Sequence, residues 1–250
     1  MMISFLALGS GSKGNATLIY DENTLFQIDM GIPLKRVKEG LSSLGKTLSD
    51  IKAVFITHEH SDHISTLPLL SRTIKVYASP NTLADPKEVI TCGNPIKLGS
   101  FSIISFSTSH DAANPVGYLI TNKDESLVYL TDTGYISDEN LSLLKDKDYY
   151  IIESNHDLKM LYKSHRPASL KQRIHSDVGH LSNTESACYM RSIVGPHTKG
   201  IYLAHLSEEC NTPELALSTY KSAFREGEVS LDNIELVCLK QWESVPGGDK

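Results

Sequence analysis

Short apolar runs rich in β-branched and aromatic residues recur along the whole chain, each bounded by Gly, Asn, Asp or Pro. That is the pattern of buried strands. ISFLALG, ATLIY, TLFQIDMG, AVFIT, KVYAS, SFSIISFS, GYLIT, SLVYLTD, YYIIES, GIYLAHL and IELVCL read in this way. Amphipathic stretches between them predict helices near Leu34 to Leu44, Asp62 to Ser71, Ser137 to Leu144, Asn183 to Ile193 and Pro213 to Phe224. Several of these have Ser, Thr or Asn placed as a cap. The first three strands follow in quick succession, as hairpins do, and later ones are separated by helices. This order predicts an α/β protein with a mixed sheet or a sandwich and speaks against a strictly alternating parallel barrel. With no repeat and no internal linker, residues 1–250 read as a single domain, and about 243–250, ending VPGGDK, as a frayed tail.

Composition narrows the class. The chain has 250 residues, 40% hydrophobic and 22% charged, with a formal net charge of −6. These are the proportions of a soluble globular enzyme, and they exclude disordered and fibrous proteins. The acidic balance argues against nucleic-acid binding through bulk charge while leaving room for a local basic groove. Cys92, Cys188, Cys210 and Cys238 are scattered without a C-x-x-C pair, which excludes a small disulfide scaffold and a thiolate zinc knuckle. A reducing cytoplasm is the simplest setting, and Cys188 and Cys210 read as small buried hydrophobes. The start lacks a basic leader, and no window reaches the roughly 18 apolar residues that cross a bilayer, so no membrane association is expected.

The strongest chemical signal is Thr57-His58-Glu59-His60-Ser61-Asp62-His63, between the strand AVFIT and a helical stretch. Imidazole nitrogens and carboxylate oxygens are ligands for zinc and similar divalent metals. His58, His60, Asp62 and His63 are more donors than one tetrahedral ion takes from so short a segment, which implies two metals. Further ligands are available at the ends of other expected strands: His110 after SFSIISFSTS, Asp132 after SLVYLT and His205 within GIYLAHLS. Any one of these alone reads more simply as a capped turn or a satisfied core group. Together, behind H-x-H-x-D-H, they read as a site.

The motifs LGSGSKGN, THEHSDH, SHDAANPVGY, TDTGY, IIESNHD and GHLSN, in this order, resemble the metallo-β-lactamase superfamily across nearly the whole chain. The resemblance implies an αβ/βα four-layer sandwich with metals at the edge between two mixed sheets. It implies that His58, His60 and His110 hold one ion, that Asp62, His63 and His205 hold a second, and that Asp132 bridges them. Zinc or manganese, with iron as a further candidate, would serve. Two metals at roughly 3.5–4 Å can share a hydroxide and clamp an in-line displacement at phosphorus, and Asp62 belongs to that catalytic set. Because the superfamily also hydrolyses lactams, lactones and thioesters, the substrate must be read from other residues.

Glu153 in IIESNHD and His180 in VGHLSN match segments of the nucleolytic branch, which includes tRNA-3′-end processing enzymes and β-CASP nucleases. A carboxylate–histidine pair outside the metal ligands can act as general acid toward a leaving alkoxide. The segment between them carries Lys159, Lys163, Arg166, Lys171 and Arg173 against Asp157 and Asp177, a local reversal of charge in an acidic protein. Lys171 and Arg173 are therefore candidate phosphate contacts. Ser10, Ser12 and Asn15, in a Gly-rich loop that lacks the Walker spacing, are candidate substrate contacts. The span from Glu153 to His180 is too short for a β-CASP insertion. What remains resembles the compact WalJ/VicX/YycJ-type subgroup, which implies a metal-dependent 5′-to-3′ DNA exonuclease with a role in DNA repair. DNA is favoured over RNA, and DNA-repair proteins or a second copy are candidate partners. The alternative is a small-molecule hydrolase, a lactonase or cyclic-nucleotide phosphodiesterase, with the same dinuclear site.

Overall fold

A computed structural model describes residues 2–70, 73–83 and 88–249. Ser71, the expected end of the helical stretch after the histidine cluster, and Lys250, the expected end of the tail, lie outside the described residues. The chain falls into two compact units where the sequence reading expects one domain. The first comprises Met1–Ser107, Ala112–Glu125 and Lys240–Lys250; the second comprises Thr108–Asp111 and Ser126–Leu239.

The first unit begins with β1 (Ser4–Gly9), β2 (Ala16–Tyr20) and β3 (Leu25–Ile28), an antiparallel meander as their close succession predicts. After α1 (Leu34–Ser43), β4 (Ile51–Phe55), β5 (Lys75–Ala78) and the short β6 (Glu88–Val89) add in parallel. Leu6, Leu8, Leu18, Met30, Val37, Leu41, Val54 and Ile56 share one buried cluster. A methyl on Gly40 would stand 2.2 Å from Leu8 Cδ2, so the absence of a side chain lets α1 close on β1. The helix expected from Asp62 is only α2 (Ser61–Ile64), followed by a 3-10 turn at Leu67–Leu69. Thr66 explains the break: its N–H donates to Met30 O and its hydroxyl reaches the carbonyls of Met30 and Ile32, and Pro68 removes the next donor but one. β7 (Ile96–Leu98), β8 (Phe101–Ser107) and β9 (Val116–Thr121) form an antiparallel ladder.

The second unit carries β10 (Ser126–Leu130), β11 (Tyr149–Glu153), β12 (Gly200–Ala204) and β13 (Glu235–Cys238), all parallel. The burial of β10, β11 and β12, complete in YYIIE and GIYLA, is what parallel strands covered on both faces require, while β13 at the sheet edge is only half-buried. Five helices belong to this unit: α3 (Asp138–Leu144), α4 (Leu158–Lys163), α5 (Ala168–Ile174), α6 (Asn183–Ile193) and α7 (Pro213–Glu226). α4 and α5 lie in the stretch that the sequence marks only by its reversal of charge, with no helix expected there. Each is barely two turns, α4 capped by Asp157 on Met160 N and α5 opened by Pro167, too short to show a period.

The final strand, β14 (Val245–Gly248), pairs antiparallel with β1, Ser4 opposite Gly248 and Ala7 opposite Val245. Strand order is β14-β1-β2-β3-β4-β5-β6 in one sheet and β13-β12-β11-β10-β9-β8-β7 in the other, giving the α/β class with two mixed sheets. The expectation of a frayed tail is corrected for residues 245–248. VPGG has poor strand propensity, but an edge position asks Pro246 for no ladder donor on its outer side. Ending the chain after Ser244 should uncover the β1 edge and cost about 2 kcal/mol, a fall of roughly 4–8 °C in a thermal melt. An unchanged melting temperature would return this segment to a frayed tail.

Candidate metal and catalytic site

In the first unit the histidine cluster leaves buried β4 and turns into α2, with His60 as the helix cap. Thr57, His58 and His63 are buried, and the His58 ring centroid lies 4.6 Å from that of His60 and 4.1 Å from that of His63. Beneath them is Asp29, fully buried just after β3 with a left-handed φ of 59°. Its carboxylate accepts from Thr57 N at 2.9 Å, from Thr57 Oγ1 at 3.0 Å and from His63 Nδ1 at 2.7 Å. Because the Thr57 hydroxyl hydrogen is committed to Asp29, its oxygen is the acceptor for His58 Nδ1 at 3.0 Å. Both imidazoles are thereby held by Nδ1, so Nε2 is the nitrogen each could offer to a cation. Burial pushes the Asp29 carboxyl up, opposed by His63 and Thr57.

The Gly-rich loop closes over this arrangement. Asn15 N donates to Asp62 O at 2.7 Å, and Gly31 N donates to Asn15 O at 2.9 Å. A methyl on Gly31 would stand 1.6 Å from Asp62 O. Asn15 is fully buried. Its amide bonds both backbone groups of Gly11 and stands 3.0 Å from His63 Nε2, so it ties the loop to the histidine cluster and does not face outward to substrate as expected. Ser10 is also buried, and Ser12 is exposed.

In the second unit the parallel strands end together, and the C-terminal edge of such a sheet is where side chains from distant segments converge. Asp132 lies two residues past β10, Glu153 ends β11, and His205 follows β12. Glu153 is fully buried. Its Oε1 accepts from His180 Nδ1 and His205 Nδ1, both at 2.8 Å, and its Oε2 from Thr133 N at 2.9 Å and Leu181 N at 3.2 Å. Burial alone would raise this carboxyl, but His180 and the hydrogen bonds from both imidazoles hold it well below the usual carboxylate range. Asp132 Oδ1 lies 3.4 Å from His205 Nδ1, 3.8 Å from His180 Nδ1 and 3.9 Å from His110 Nε2. His110 donates through Nδ1 to Gly179 O at 3.0 Å; burial lowers its pKa, opposed by Asp132.

Asp132, Glu153, His180 and His205 each offer a ligand atom within 4.8 Å of the others. Such a set suits a divalent cation: imidazoles whose Nδ1–H is fixed by a carboxylate or carbonyl, with carboxylates beside them. His63, His110 and His205 have Nδ1 fixed in this way, and His58 Nδ1 is held by the Thr57 hydroxyl. Asp29 escaped the sequence reading; its only local signal is an acidic residue directly after a buried strand.

The basic segment is less open than expected. Lys171 Nζ donates to Tyr162 O and Ser164 O at the end of α4, Arg173 Nε pairs with Asp111 and Arg166 Nε with Glu209. Lys171 and Arg173 thus have structural partners that their reading as phosphate contacts did not include. Lys159 and Lys163 are exposed. Cys210 is buried as expected, whereas Cys188 is exposed, a correction that follows from its place on the outer face of α6.

A two-sheet α/β fold carrying imidazole and carboxylate clusters at strand ends defines a metal-dependent hydrolase. Residues 28–199 match the beta-lactamase superfamily domain, and the chain belongs to the metallo-β-lactamase superfamily. It is 35% identical over 239 residues to the protein named exodeoxyribonuclease YycJ of Bacillus anthracis, covering 90% of each chain. It is 36% identical, also over 239 residues, to the protein named exodeoxyribonuclease WalJ of Streptococcus pneumoniae serotype 2 strain D39, covering 90% of this chain and 89% of that one. Among solved structures, the metallo-β-lactamase fold protein YhfI from Bacillus subtilis superposes with a TM-score of 0.74 at 16% identity, covering 99% of this chain and all of that one. Among the described residues no helix is long and apolar enough to cross a membrane.

Two outcomes follow from this geometry. Asp29→Asn should weaken metal binding by about 10- to 100-fold in a chelator competition, because His63 loses the carboxylate that orients its ring and Thr57, which holds His58, loses its own acceptor; undiminished affinity would show that Asp29 is not their support. His156 is fully buried, with neither ring nitrogen hydrogen-bonded, and burial pulls its pKa down to about 4 from 6.5. The unfolded chain therefore binds the extra proton between these values. Stability present above pH 6.5 should fall as pH drops toward 4, by up to about 1.4 kcal/mol per unit. Denaturant melts of His156→Gln across this range should show a flatter acid limb; an identical limb would remove His156 as the cause.

Proposed function

We propose that the protein is a dinuclear metal-dependent phosphodiesterase on nucleic acid, a 5′-to-3′ DNA exonuclease acting in cytoplasmic DNA repair. The observation that carries this reading is the Glu153–His180 hydrogen bond beside Asp132, because hydrolysis of a phosphodiester must protonate a poor alkoxide leaving group. The names borne by the Bacillus anthracis and Streptococcus pneumoniae relatives support DNA as the substrate. His58, His60, Asp62, His63, His110, Asp132 and His205 are the proposed ligands, an assignment that rests on the order of motifs along the chain and on the fixed Nδ1 groups. Zinc or manganese, with iron as a further candidate, suits this nitrogen and oxygen donor set. When bound, such ions supply Lewis acidity, which lowers the pKa of a water and offsets charge gathering on phosphoryl oxygens.

The protein's own part is proton delivery and orientation. A carboxylate can only accept, so His180 carries its Nδ1 proton toward Glu153 and presents Nε2 as the atom that holds and releases a proton to the leaving oxygen. Glu153, kept ionised, holds that ring in place through Nδ1. Sharing Oε1 with His205 makes one carboxylate set the orientation of both the acid and a metal ligand.

Metal-stripped protein resupplied with Mn²⁺ or Zn²⁺ should release mononucleotides from the 5′ end of labelled DNA. His60→Ala should abolish release, and His180→Ala should slow it by about 10²- to 10⁴-fold. Turnover of a lactone or cyclic nucleotide with no cleavage of any polymer would instead assign the small-molecule branch.

A further inference from the structure

The segments of the second unit that carry His110, Asp132 and His180 are tied to one another through their backbones. Gly134 N donates to Ser109 O at 2.8 Å, and Asp111 N donates to Val178 O at 3.1 Å. A methyl on Gly134 would stand 2.3 Å from the Ser176 and Asp177 carbonyl oxygens, so the two chains pass with no room between them. Two large apolar side chains stand on this tie and remain open to solvent, Tyr135 at 44% and Val178 at 46% exposure. Single exposed apolar residues are ordinary. These two are placed differently: Tyr135 follows Asp132 by three residues, and Val178 precedes His180 by two. Thr133 Oγ1 donates to Tyr135 O at 2.7 Å, so the ring stands on a fixed turn.

The other exposed aromatic rings are already engaged. Trp242, 55% exposed, has the Lys13 ammonium and the Arg36 guanidinium each 5.7 Å from its ring, and the Tyr162 hydroxyl is bonded to His175 Nδ1 at 2.8 Å. A flat ring and an exposed valine, on two chains that pass this closely and that carry Asp132 and His180, match the chemistry of a nucleobase and its sugar. Stacking is tolerant of sequence because every base has a π face, and it requires that the base be unpaired.

We propose that Tyr135 and Val178 form the seat for the terminal base of a single DNA strand, the base stacking on Tyr135 with Val178 against its edge. The inference rests on the nuclease reading above. It assigns the enzyme a preference for unpaired ends and little preference among bases.

The test uses manganese-loaded protein and three substrates: a single-stranded oligonucleotide, the same strand with abasic sugars at its cleaved end, and bis(p-nitrophenyl) phosphate. Tyr135→Ala should raise KM on the ordinary strand about tenfold while leaving the abasic strand and the small ester within about twofold of wild type. Tyr135→Phe should behave as wild type, and Val178→Ser should show a smaller effect with the same selectivity. Equal losses of Tyr135→Ala on all three substrates, or no loss on the ordinary strand, would overturn the seat while leaving the nuclease standing. Wild-type protein that hydrolyses the small ester but cleaves neither strand would overturn the nuclease and the seat together.

Discussion

The second unit's chemistry depends on one buried carboxylate. Moving an ion such as Glu153 out of water costs several kcal/mol unless its lone pairs are filled. Here Thr133 N, Leu181 N, His180 Nδ1 and His205 Nδ1 fill them, drawn from three separate chain segments. The carboxyl is held low despite its burial because the two imidazoles outweigh desolvation. Asp29 in the first unit follows the same plan with one imidazole, one hydroxyl and one N–H, and there burial wins. Both acids stand at the end of a buried strand, and both fix imidazoles through Nδ1. A side chain that must present Nε2 to a cation needs a rigid partner behind it, and in each unit that partner is the most deeply buried charge of the cluster.

Backbone conformation adds a second constraint. Asp29, Asp132 and His205 adopt φ of 59°, 55° and 55°, a left-handed state that few residues other than glycine enter and that Asp and His enter more readily than most. Each lies just past a strand, where the extended chain would otherwise carry its side chain along the strand direction. The left-handed residue reverses that course within one position and sets the side chain at the sheet's edge. Such conformations persist where surrounding bonds over-determine them. Asp29 N on Phe55 O and Asn155 Nδ2 on His205 O provide such bonds.

The extent to which this was legible in the chain follows from range. THEHSDH announces itself because its donors are adjacent, and the parallel strands do so because burial on both faces makes them continuously apolar. His110, Asp132, Glu153 and His205 could be read from their places at strand ends. Asp29 could not, since its partners Thr57 and His63 lie about thirty positions on and nothing local marks the contact. Nor could the roles of Asn15 and Lys171: Asn15 resembles a loop residue facing substrate until its amide is seen on Gly11 and His63, and Lys171 resembles a phosphate contact until its ammonium is seen on the last carbonyls of α4. β14 and α5 were hidden by Pro and Gly, whose poor propensities matter little at a sheet edge or a first turn.

The charges also bear on how a polyanion would be held. The chain is acidic overall, and of the five cations between Glu153 and His180, Arg166, Lys171 and Arg173 are bound to acceptors of the protein itself. An ammonium already placed on helix carbonyls, or a guanidinium on a carboxylate, has less to gain from a phosphate, because the existing bond must first be given up. Lys159, Lys163 and Arg173 are exposed, Arg173 being paired with Asp111, and one or two phosphate contacts produce only a shallow dependence of binding on salt. For the proposed substrate, the recognition not supplied by charge must come from contacts that salt does not screen. An exposed ring on a hydrogen-bonded turn three residues past Asp132, as Tyr135 provides, is the kind of group that supplies them.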